Sequence, residues 1–451
     1  MVEYKGLLIN IISSWSPRIC GIGSFSQDTA SAIENYEDSI KAIKVHPIDK
    51  TGLKYIHPIR EKHVIRQLDT SSWEKAADMI VERSYRRWAE DGLKSIVLLE
   101  HEYGLDGTGL DNNYNLIARK IKEARIPCVA VLHTVLQTPN EHQKSVIQEF
   151  EHNCDSLVVL TPSAKDILKK IYGINSEKIE YIPHGIPEIE SGLSKEDTKQ
   201  ELEWGGKIII ATPGLVSEGK GIDYGILGFS EFLKNVKATD RENIFYVIAG
   251  QTHPGELEFN KREDPYRRRL ENLVNEEKLN DKVIFVNRHL EDNELYMMIK
   301  ASDVGLIPYK NPQQISSGIL SYYVGLGTPC VSTNFTYARD LFSNSRGNPF
   351  HINELINNED EYFQREVSGV LVDFDSPKSI AKGLQYVFEN YETIVKNEMN
   401  KGNSMAWRVV GASMVNLFTR LVREDKIDTS KISFDKPLEE LESVSDNQQI
   451  L

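Results

Sequence analysis

Short apolar runs rich in β-branched residues alternate with longer amphipathic segments along most of the chain. This alternation is typical of parallel β-sheets covered by helices on both faces, so it predicts an α/β protein. In the first half, strands are predicted at 7–13, 42–45, 95–99, 128–132, 156–160 and 179–182. In the second half, strands are predicted at 207–211, 244–249, 282–286, 304–308, 329–332 and 370–372. The repeated rhythm indicates two Rossmann-like parallel-sheet domains.

The segment 187–206 divides the two halves. It is rich in Pro, Gly, Ser and charged residues and lacks a strand pattern, which is typical of a linker. We therefore predict an N-terminal domain at 1–190 and a C-terminal domain at 207–395. A helical region at 396–425 is expected to pack back on the N-terminal domain, and the acidic tail at 436–451 is expected to be mobile.

Composition and charge narrow the classes of function. With 451 residues, 40% hydrophobic and 27% charged, the chain has the make-up of a globular protein with a substantial core. Its formal net charge of −14 argues against nucleic acid or anionic lipid as a partner. A membrane span needs about 18 consecutive apolar residues, and the sequence has no such run. The apolar stretch 6–12 is too short for a secretory signal and predicts a strand.

The four cysteines are far apart in the sequence and form no CxxC pair. Their spacing predicts neither a disulfide framework nor a zinc site, and it favours a reducing cytoplasm. The sequence leaves a homo-oligomer open.

Functional residues are expected just after the strands, because ligands bind beyond the carboxyl ends of parallel sheets. After the first strand come Gly21 and Gly23, followed by a helix pattern near Ser26. Glycines here let the backbone approach a ligand, and the helix start offers N–H groups to an anion. A plain tight turn is the alternative interpretation.

Two further strand ends in the first half carry histidines. The strand at 128–132 ends in His133, and the strand at 95–99 is followed by His101 and Glu102. A single histidine is usually structural, but two at neighbouring strand ends favour contacts with substrate. His133 is the stronger candidate, while His101 and Glu102 are candidate acceptor contacts.

The loop 214–221 comes within one residue of a Walker A motif. Gly221 occupies the position of the Ser or Thr that would bind Mg²⁺, and the next strand ends in Gly250 rather than in an acidic residue. A P-loop ATPase is therefore not favoured. Lys220, at the start of the following helix, is predicted to bind a phosphate, with a solvated lysine as the alternative.

A second anion-binding element is predicted further along. Arg288 follows the strand at 282–286, and the strand at 304–308 leads to Ser316, Ser317 and Gly318 at a helix start. Free N–H groups at that start would form an anion cradle, and with Lys220 and Arg288 they would neutralise a phosphate or diphosphate without metal. A serine N-cap without ligand is the alternative.

Asp373 and Asp375 spell DxD, a pattern that binds a divalent metal in some enzymes. They precede Ser376 and Pro377, which favours a turn. The sequence therefore predicts neither a metal site nor a cofactor.

Taken in order, these motifs resemble retaining glycosyltransferase family four, and the resemblance covers nearly the whole chain. The subgroup that it most resembles carries a CGI loop, an HTVL strand end and a QISSG helix start. The resemblance implies the GT-B fold, in which two Rossmann-like domains face across a cleft. The segments that carry it are the glycine loop, His133, IPHGI at 182–186, Lys220 with Gly221, GTPCVST at 327–333 and GVLVDFDSP at 369–377.

The resemblance also implies roles for individual residues. His133 matches the residue that contacts the donor sugar, and Lys220 matches the lysine of an Arg–Lys pair that binds the phosphates. Leu215 stands in place of that arginine, which suggests Arg288 as its substitute. The two family glutamates fall on Gln314 and Tyr322. Gln314 can still bind a sugar hydroxyl, whereas Tyr322 cannot bind a ribose diol as a carboxylate does. Tyr322 is instead a candidate acceptor or sugar contact.

The leading hypothesis is retaining, metal-independent transfer of a mannosyl or glucosyl group from a nucleotide-diphosphate sugar to a carbohydrate acceptor. A glycoside phosphorylase that uses inorganic phosphate or a sugar 1-phosphate is the first alternative, because the ribose-binding acid is missing. A non-catalytic protein that binds a sugar or nucleotide is the second.

Overall fold

The computed structural model describes residues 2–50, 52–55, 63–107, 111–187, 194–253, 256–257, 264–343, 347–357 and 367–424. The predicted tail at 436–451 lies outside the described residues. Among the helices in the described ranges, none combines the length and apolar character that crossing a membrane requires.

The first sheet has seven strands in the order β3-β2-β1-β4-β5-β6-β7. Its interior strand β1 pairs in parallel with β2 and β4, and every residue of β1 is buried. The strands are β1 (Gly6–Ser13), β2 (Ile40–Asp49), β3 (Ile65–Arg66), β4 (Leu93–His101), β5 (Cys128–Leu132), β6 (Ser156–Val159) and β7 (Ile179–Tyr181).

The second sheet has six strands in the order β10-β9-β8-β11-β12-β13. Its central strand β8 pairs in parallel with β9 and β11. The strands are β8 (Ile208–Pro213), β9 (Ile244–Ala249), β10 (Val283–Val286), β11 (Val304–Ile307), β12 (Cys330–Thr333) and β13 (Val370–Val372).

Both sheets contain the doubly wound order 3-2-1-4-5-6, counted from β1 and from β8, and the first sheet continues with a seventh strand, β7. In each sheet the second and third strands lie on one side of the first strand, and the fourth and later strands lie on its other side. The order of the strands therefore reverses between β1 and β4 in one sheet and between β8 and β11 in the other. The carboxyl ends of these strand pairs are where such folds bind ligands. We call them the first and the second switch point.

Helices follow most of the strands, as the amphipathic segments predict. They are α1 (Gly21–Glu34), α2 (Thr70–Asp91), α3 (Asn113–Glu123), α4 (Glu141–Asn153), α5 (Pro162–Ile167), α6 (Lys195–Glu201), α7 (Ile222–Asn235), α8 (Ala238–Arg241), α9 (Pro265–Glu276), α10 (Asp292–Ala301), α11 (Gly318–Gly325), α12 (Thr336–Leu341), α13 (Ile352–Leu355), α14 (Pro377–Glu389), α15 (Tyr391–Gly402) and α16 (Trp407–Glu424).

Two predictions about local structure need correction. Helix α1 begins at Gly21, five residues before the predicted start at Ser26, because its first turn includes both glycines. Glycine is a poor helix former, so this turn was predicted as a loop. The predicted linker contains α6, whose Lys199 forms an ion pair of 2.6 Å with Asp303.

The chain divides into two compact units. The first contains Met1–Val131, Asn140–Val158 and the described residues from Ala412 onward, and the second contains Leu132–Pro139 and Val159–Gly411. Within the first unit, Lys94 on β4 donates to Val422 O at 2.9 Å, which fixes the end of α16 to that unit. The predicted domain boundaries at 190 and 207 stay a prediction.

Candidate active site at the second switch point

The loop after β8 is joined to the end of β11. Lys310 N–H donates to Gly219 O at 3.0 Å. Gly221 has φ +61°, and a Cβ at this position would collide with Pro308 O. Any other residue would be strained here and would push the two loops apart. Lys220, between the two glycines, is therefore held at the second switch point.

The ammonium group of Lys220 has a fixed partner. Its Nζ lies 3.8 Å from the centroid of the Tyr309 ring, within the range of a cation–π interaction. Tyr309 is itself rigid, since it is 2% exposed and stacks on Phe335 with ring centroids 5.5 Å apart. Lys220 is half-buried and thus presents a preorganised positive charge.

The start of α11 is the second predicted anion-binding element. Ser317 is the N-cap and accepts a hydrogen bond from Leu320 N–H at 3.3 Å. The first N–H groups of a helix, here those of Gly318 and its neighbour, have no acceptor within the helix. Gln314 folds over this start, because its Nε2 donates to Ser316 O at 2.8 Å. The serine cap and the N–H groups of the cradle are thus present together.

The loop after β8 also reaches the first turn of α11. Gly214 has φ +113°, and a Cβ there would lie 3.4 Å from Ile319 Cγ1. The second switch point therefore places Lys220, Gln314 and the helix start at one edge of the sheet.

His133 belongs to the same unit. Residues 132–139 are grouped with the second unit, and Ser316 Oγ donates to His133 O at 3.2 Å. The side chain of His133 is 6% exposed. The hydrogen bond places the backbone of His133 beside the helix start, and the contact of its side chain with the donor stays a prediction.

His184 and Tyr322 form a buried aromatic group next to this start. Burial lowers the pKa of His184 to about 4. A hydrogen bond to Gly185 O raises this pKa in part, and the charge of His133 lowers it further. His184 Nδ1 donates to that carbonyl at 2.7 Å, so Nε2 carries the lone pair. The Tyr322 ring packs edge-on against His184 at 5.9 Å and against Tyr296 at 5.2 Å.

The structure does not bring Arg288 to this group. Arg288 follows β10, at the edge of the sheet, while β8 and β11 are at its centre. Its guanidinium makes two hydrogen bonds with Glu294, at 2.7 and 2.8 Å, at the start of α10. The pKa of Arg288 is raised by this carboxylate. The partnership of Arg288 with Lys220 stays a prediction, and the pairing with Glu294 at the sheet edge argues against it.

The glycines of the first switch point lie in helix α1. A Cβ on Gly21 would meet no atom within 4 Å, and one on Gly23 would make ordinary contacts with Ser14. Packing in this structure therefore does not require glycine at either position. Their role in binding a ligand stays a prediction.

His101 is placed differently from the prediction. It is 0% exposed, and its ring contacts the rings of Tyr103, Tyr114 and Phe150 at centroid distances of 5.0, 5.2 and 4.9 Å. This conformation leaves no surface with which His101 could touch an acceptor. Glu102 is half-buried and accepts from Tyr103 N–H at 2.8 Å, so it caps the short turn that follows β4.

The DxD segment forms a turn. Phe374 and Asp375 are its turn residues, and Asp375 has φ +51°. Asp373 N–H donates to Ser379 Oγ at 3.0 Å, which ties the turn to the start of α14. Within the described residues, no three His, Cys, Asp or Glu side chains are grouped as metal ligands.

Comparison with known families decides the class of protein. Residues 194–402 match the family model described as Glycosyl transferases group 1, and residues 112–188 match the one described as Glycosyltransferase Family 4. The chain is a glycosyltransferase. No curated protein sequence matches this glycosyltransferase. The CGI, HTVL and QISSG motifs of the subgroup stay a prediction.

Solved structures show that the glycosyltransferase has the GT-B fold. Anabaena HepE in complex with UDP is 12% identical, with a TM-score of 0.64, and the match covers 92% of this chain and 100% of HepE. Another HepE structure is a complex with UDP-glucose. A Rickettsia africae glycosyltransferase is 14% identical, with a TM-score of 0.66 and coverage of 93% and 100%. A Thermosynechococcus elongatus sucrose-phosphate synthase is 15% identical, with a TM-score of 0.65 and coverage of 92% and 99%.

Two residues of the site were missed at the level of sequence. Tyr309, which holds Lys220, and His184, which packs on Tyr322, were not chosen as site residues of the glycosyltransferase. His184 lies in the segment IPHGI, which carries a signal, but it directly precedes the predicted linker rather than a helix start. Tyr309 directly follows β11 and carried no signal beyond that position.

Proposed function

We propose that this glycosyltransferase transfers a hexosyl group, mannosyl or glucosyl, from a nucleotide-diphosphate sugar to a carbohydrate acceptor with retention of configuration and without a metal ion. The observation that carries the proposal is the group at the second switch point. Lys220 presents a fixed positive charge there, and the N–H groups at the start of α11 lie at the same edge of the sheet. A diphosphate leaving group needs this combination.

The proposed step breaks the bond between the sugar C1 and the phosphate oxygen and forms a bond from C1 to an acceptor oxygen on the same face. The proton of the acceptor hydroxyl passes to the departing phosphate, so no protein nucleophile takes part. Lys220 and the helix start stabilise the negative charge of the leaving group. His133 and Gln314 orient the sugar. Arg288 is left out of this step, because its guanidinium pairs with Glu294 after the edge strand β10.

The class of donor is supported by the structures that share the fold. HepE binds UDP and UDP-glucose, which makes a nucleotide sugar the first donor to test.

The test is a donor and acceptor panel. Purified protein is incubated with UDP-glucose, GDP-mannose or ADP-glucose and a set of mono- and disaccharides, with and without EDTA. We expect a glycoside whose anomeric configuration by NMR equals that of the donor, at the same rate in EDTA. An inverted product would contradict retention, and loss of activity in EDTA that Mg²⁺ or Mn²⁺ restores would contradict metal independence.

A glycoside phosphorylase is the second candidate, and Tyr322 is the observation that favours it. In the resemblance this position holds the ribose-binding carboxylate, and here it holds a tyrosine, 7% exposed, packed on Tyr296 and His184. Calorimetric titration with UDP, GDP and ADP, beside an assay of sugar 1-phosphate formation from disaccharides and phosphate, separates the two. Phosphorolysis without nucleotide binding would replace the leading proposal.

A further inference from the structure

A side-chain network binds the segment after β5 to the segment before α11. Gln313 Oε1 accepts from Gln137 N–H at 3.2 Å, and Gln313 Nε2 donates to Thr138 Oγ1 at 3.2 Å. The side chain of Gln137 adds a further hydrogen bond, in which its Nε2 donates to Thr336 Oγ1 at 3.2 Å. All of these residues belong to the second unit. We call these contacts the amide clamp.

The clamp is held firmly on the side of Gln313. Gln313 N–H donates to Asn311 Oδ1 at 3.0 Å, which fixes the backbone from which its side chain extends. Thr336, the partner of Gln137, donates both its N–H and its Oγ1 to Pro312 O, each at 3.1 Å. The two ends of the clamp are therefore anchored to adjacent residues of one loop.

The position of the clamp relates it to the proposed chemistry. Gln313 directly precedes Gln314, which folds over the start of α11. The clamped segment begins at His133, whose carbonyl accepts from Ser316 Oγ at 3.2 Å. Two residues assigned to the donor sugar thus lie on the two segments that the clamp joins.

We propose that Gln313 is a positioning residue, whose amide group holds the segment 133–138 on the start of α11 so that His133 and Gln314 meet the donor sugar in one fixed arrangement. The inference rests on the proposed function. Gln313 acts through its neighbours and makes no contact with the reacting atoms. A misplacement of about 1 Å at a reacting centre can cost up to about a hundredfold in rate.

The test replaces Gln313 with Met, which keeps the length of the side chain and removes both hydrogen bonds. The N–H of Gln137 is a direct probe, because Gln313 Oε1 is its acceptor. We expect Gln313→Met to speed hydrogen exchange at this amide about tenfold and to lower kcat about tenfold, with KM for the donor unchanged. The matched control is Gln385→Met, since Gln385 is an exposed glutamine of α14 that bonds within its helix to Glu389.

A conservative variant and a double variant separate positioning from general stability. In Gln313→Glu, the carboxylate still accepts from Gln137 N–H, and the Thr138 hydroxyl can turn to donate to it. This variant should recover most of the exchange protection and of kcat. Thr138→Val should lower kcat in the wild type and change little in the Gln313→Met background, because coupled contacts are not additive.

The outcomes divide cleanly. Unchanged exchange at Gln137 in Gln313→Met, or faster exchange with wild-type kcat, would overturn the positioning role. Equal losses in Gln313→Met and Gln313→Glu would overturn it as well, since they would indicate a general structural fault. A wild type that transfers no sugar from any donor overturns the proposed function, whereas the exchange measurement supports or overturns the clamp by itself.

Discussion

The two switch points have the same topology and differ in what their strand ends expose. At the first, Glu100 and His101 end β4 and are both 0% exposed. At the second, Lys220 and Gln314 follow β8 and β11 and are half-buried. A strand end at a switch point is thus a place where chemistry can occur, and burial decides whether its residues act on a ligand or pack the scaffold.

The difference has a local cause. After β1, residues 14–20 lead into α1, and Ser26 of this helix bonds to Ser13 at the strand end through their hydroxyl groups, 2.6 Å apart. After β8 the chain first forms the loop 214–221, which keeps Lys220 away from the core of the sheet. Lys220 is thereby left half-buried at the edge of the sheet, where a phosphate can reach it.

The largest effect is expected from the charge at the second switch point. Lys220→Ala should lower kcat about a hundredfold or more, because one preorganised charge on a leaving group contributes several kcal/mol to the transition state. The thermal midpoint should change little, since the side chain is half-buried. Steady-state kinetics and a thermal melt of the same preparation measure both.

Lys207→Ala is the matched control for Lys220. Lys207 also lies over an aromatic ring, 5.8 Å from the centroid of Phe245, but it precedes β8 and so lies at the opposite end of the strand. It should keep its activity. A folded Lys220→Ala protein with wild-type kcat would remove the distinction between the two switch points.

His101 should show the opposite behaviour. His101→Ala should destabilise the protein by about 2 to 4 kcal/mol, because it leaves a cavity among three aromatic rings, while kcat per folded molecule should stay near that of the wild type. Urea unfolding and kinetics give the two values, with the exposed His152→Ala as the control. A stable His101→Ala protein with a raised KM for the acceptor would restore His101 as a binding residue.

Much of the fold is predictable, because the buried faces of strands and helices appear in the sequence as periodic apolar residues. Every strand except β3 falls within or beside a predicted run, and β3 was missed because two residues, Ile65 and Arg66, are too short for a periodic pattern. Helix starts are less certain. Gly21 and Gly23 enter α1 through tertiary context, against their low helix propensity.

Less of the site is predictable, because its geometry depends on contacts between distant residues. Lys220 was found from its position after a strand, but its partner Tyr309 is an ordinary apolar position in the sequence. Arg288 had the same signal as Lys220 and is bound by Glu294. The strand order that separates them comes from long-range pairing, which one sequence without relatives does not reveal.

A third test asks whether the buried histidine of the second switch point is neutral. The pKa of His184 is lowered from 6.5 to about 4 in the folded state. The unfolded chain therefore binds this proton at a higher pH than the folded one, so stability falls as the pH drops from about 6.5 towards 4. The loss is at most about 1.4 kcal/mol per pH unit.

The measurement for His184 is urea unfolding at pH 7.5, 5.5 and 4.5, compared with His184→Gln. Glutamine can still donate to Gly185 O but does not titrate. The wild type should lose more stability than the variant on acidification, while the difference should be constant above pH 7. Parallel curves for the two proteins would show that His184 binds its proton equally well in both states.

The smallest effect is expected at Arg288. This prediction tests whether a cation must lie at the switch point to bind the donor, or whether a cation at any strand end would bind it. Arg288 is a cation at the carboxyl end of a strand, as Lys220 is near one, but its strand β10 is at the sheet edge. Its pairing with Glu294 is exposed, so solvent screens it. Arg288→Ala should therefore change kcat and donor KM by less than about twofold.

The kinetic comparison needs Glu294→Gln beside it, because freeing the guanidinium alone would reveal any attraction for the donor as a lower KM. A loss at Arg288→Ala as large as that at Lys220→Ala would mean that the edge strand takes part in phosphate binding, and the contrast between the two positions would no longer hold.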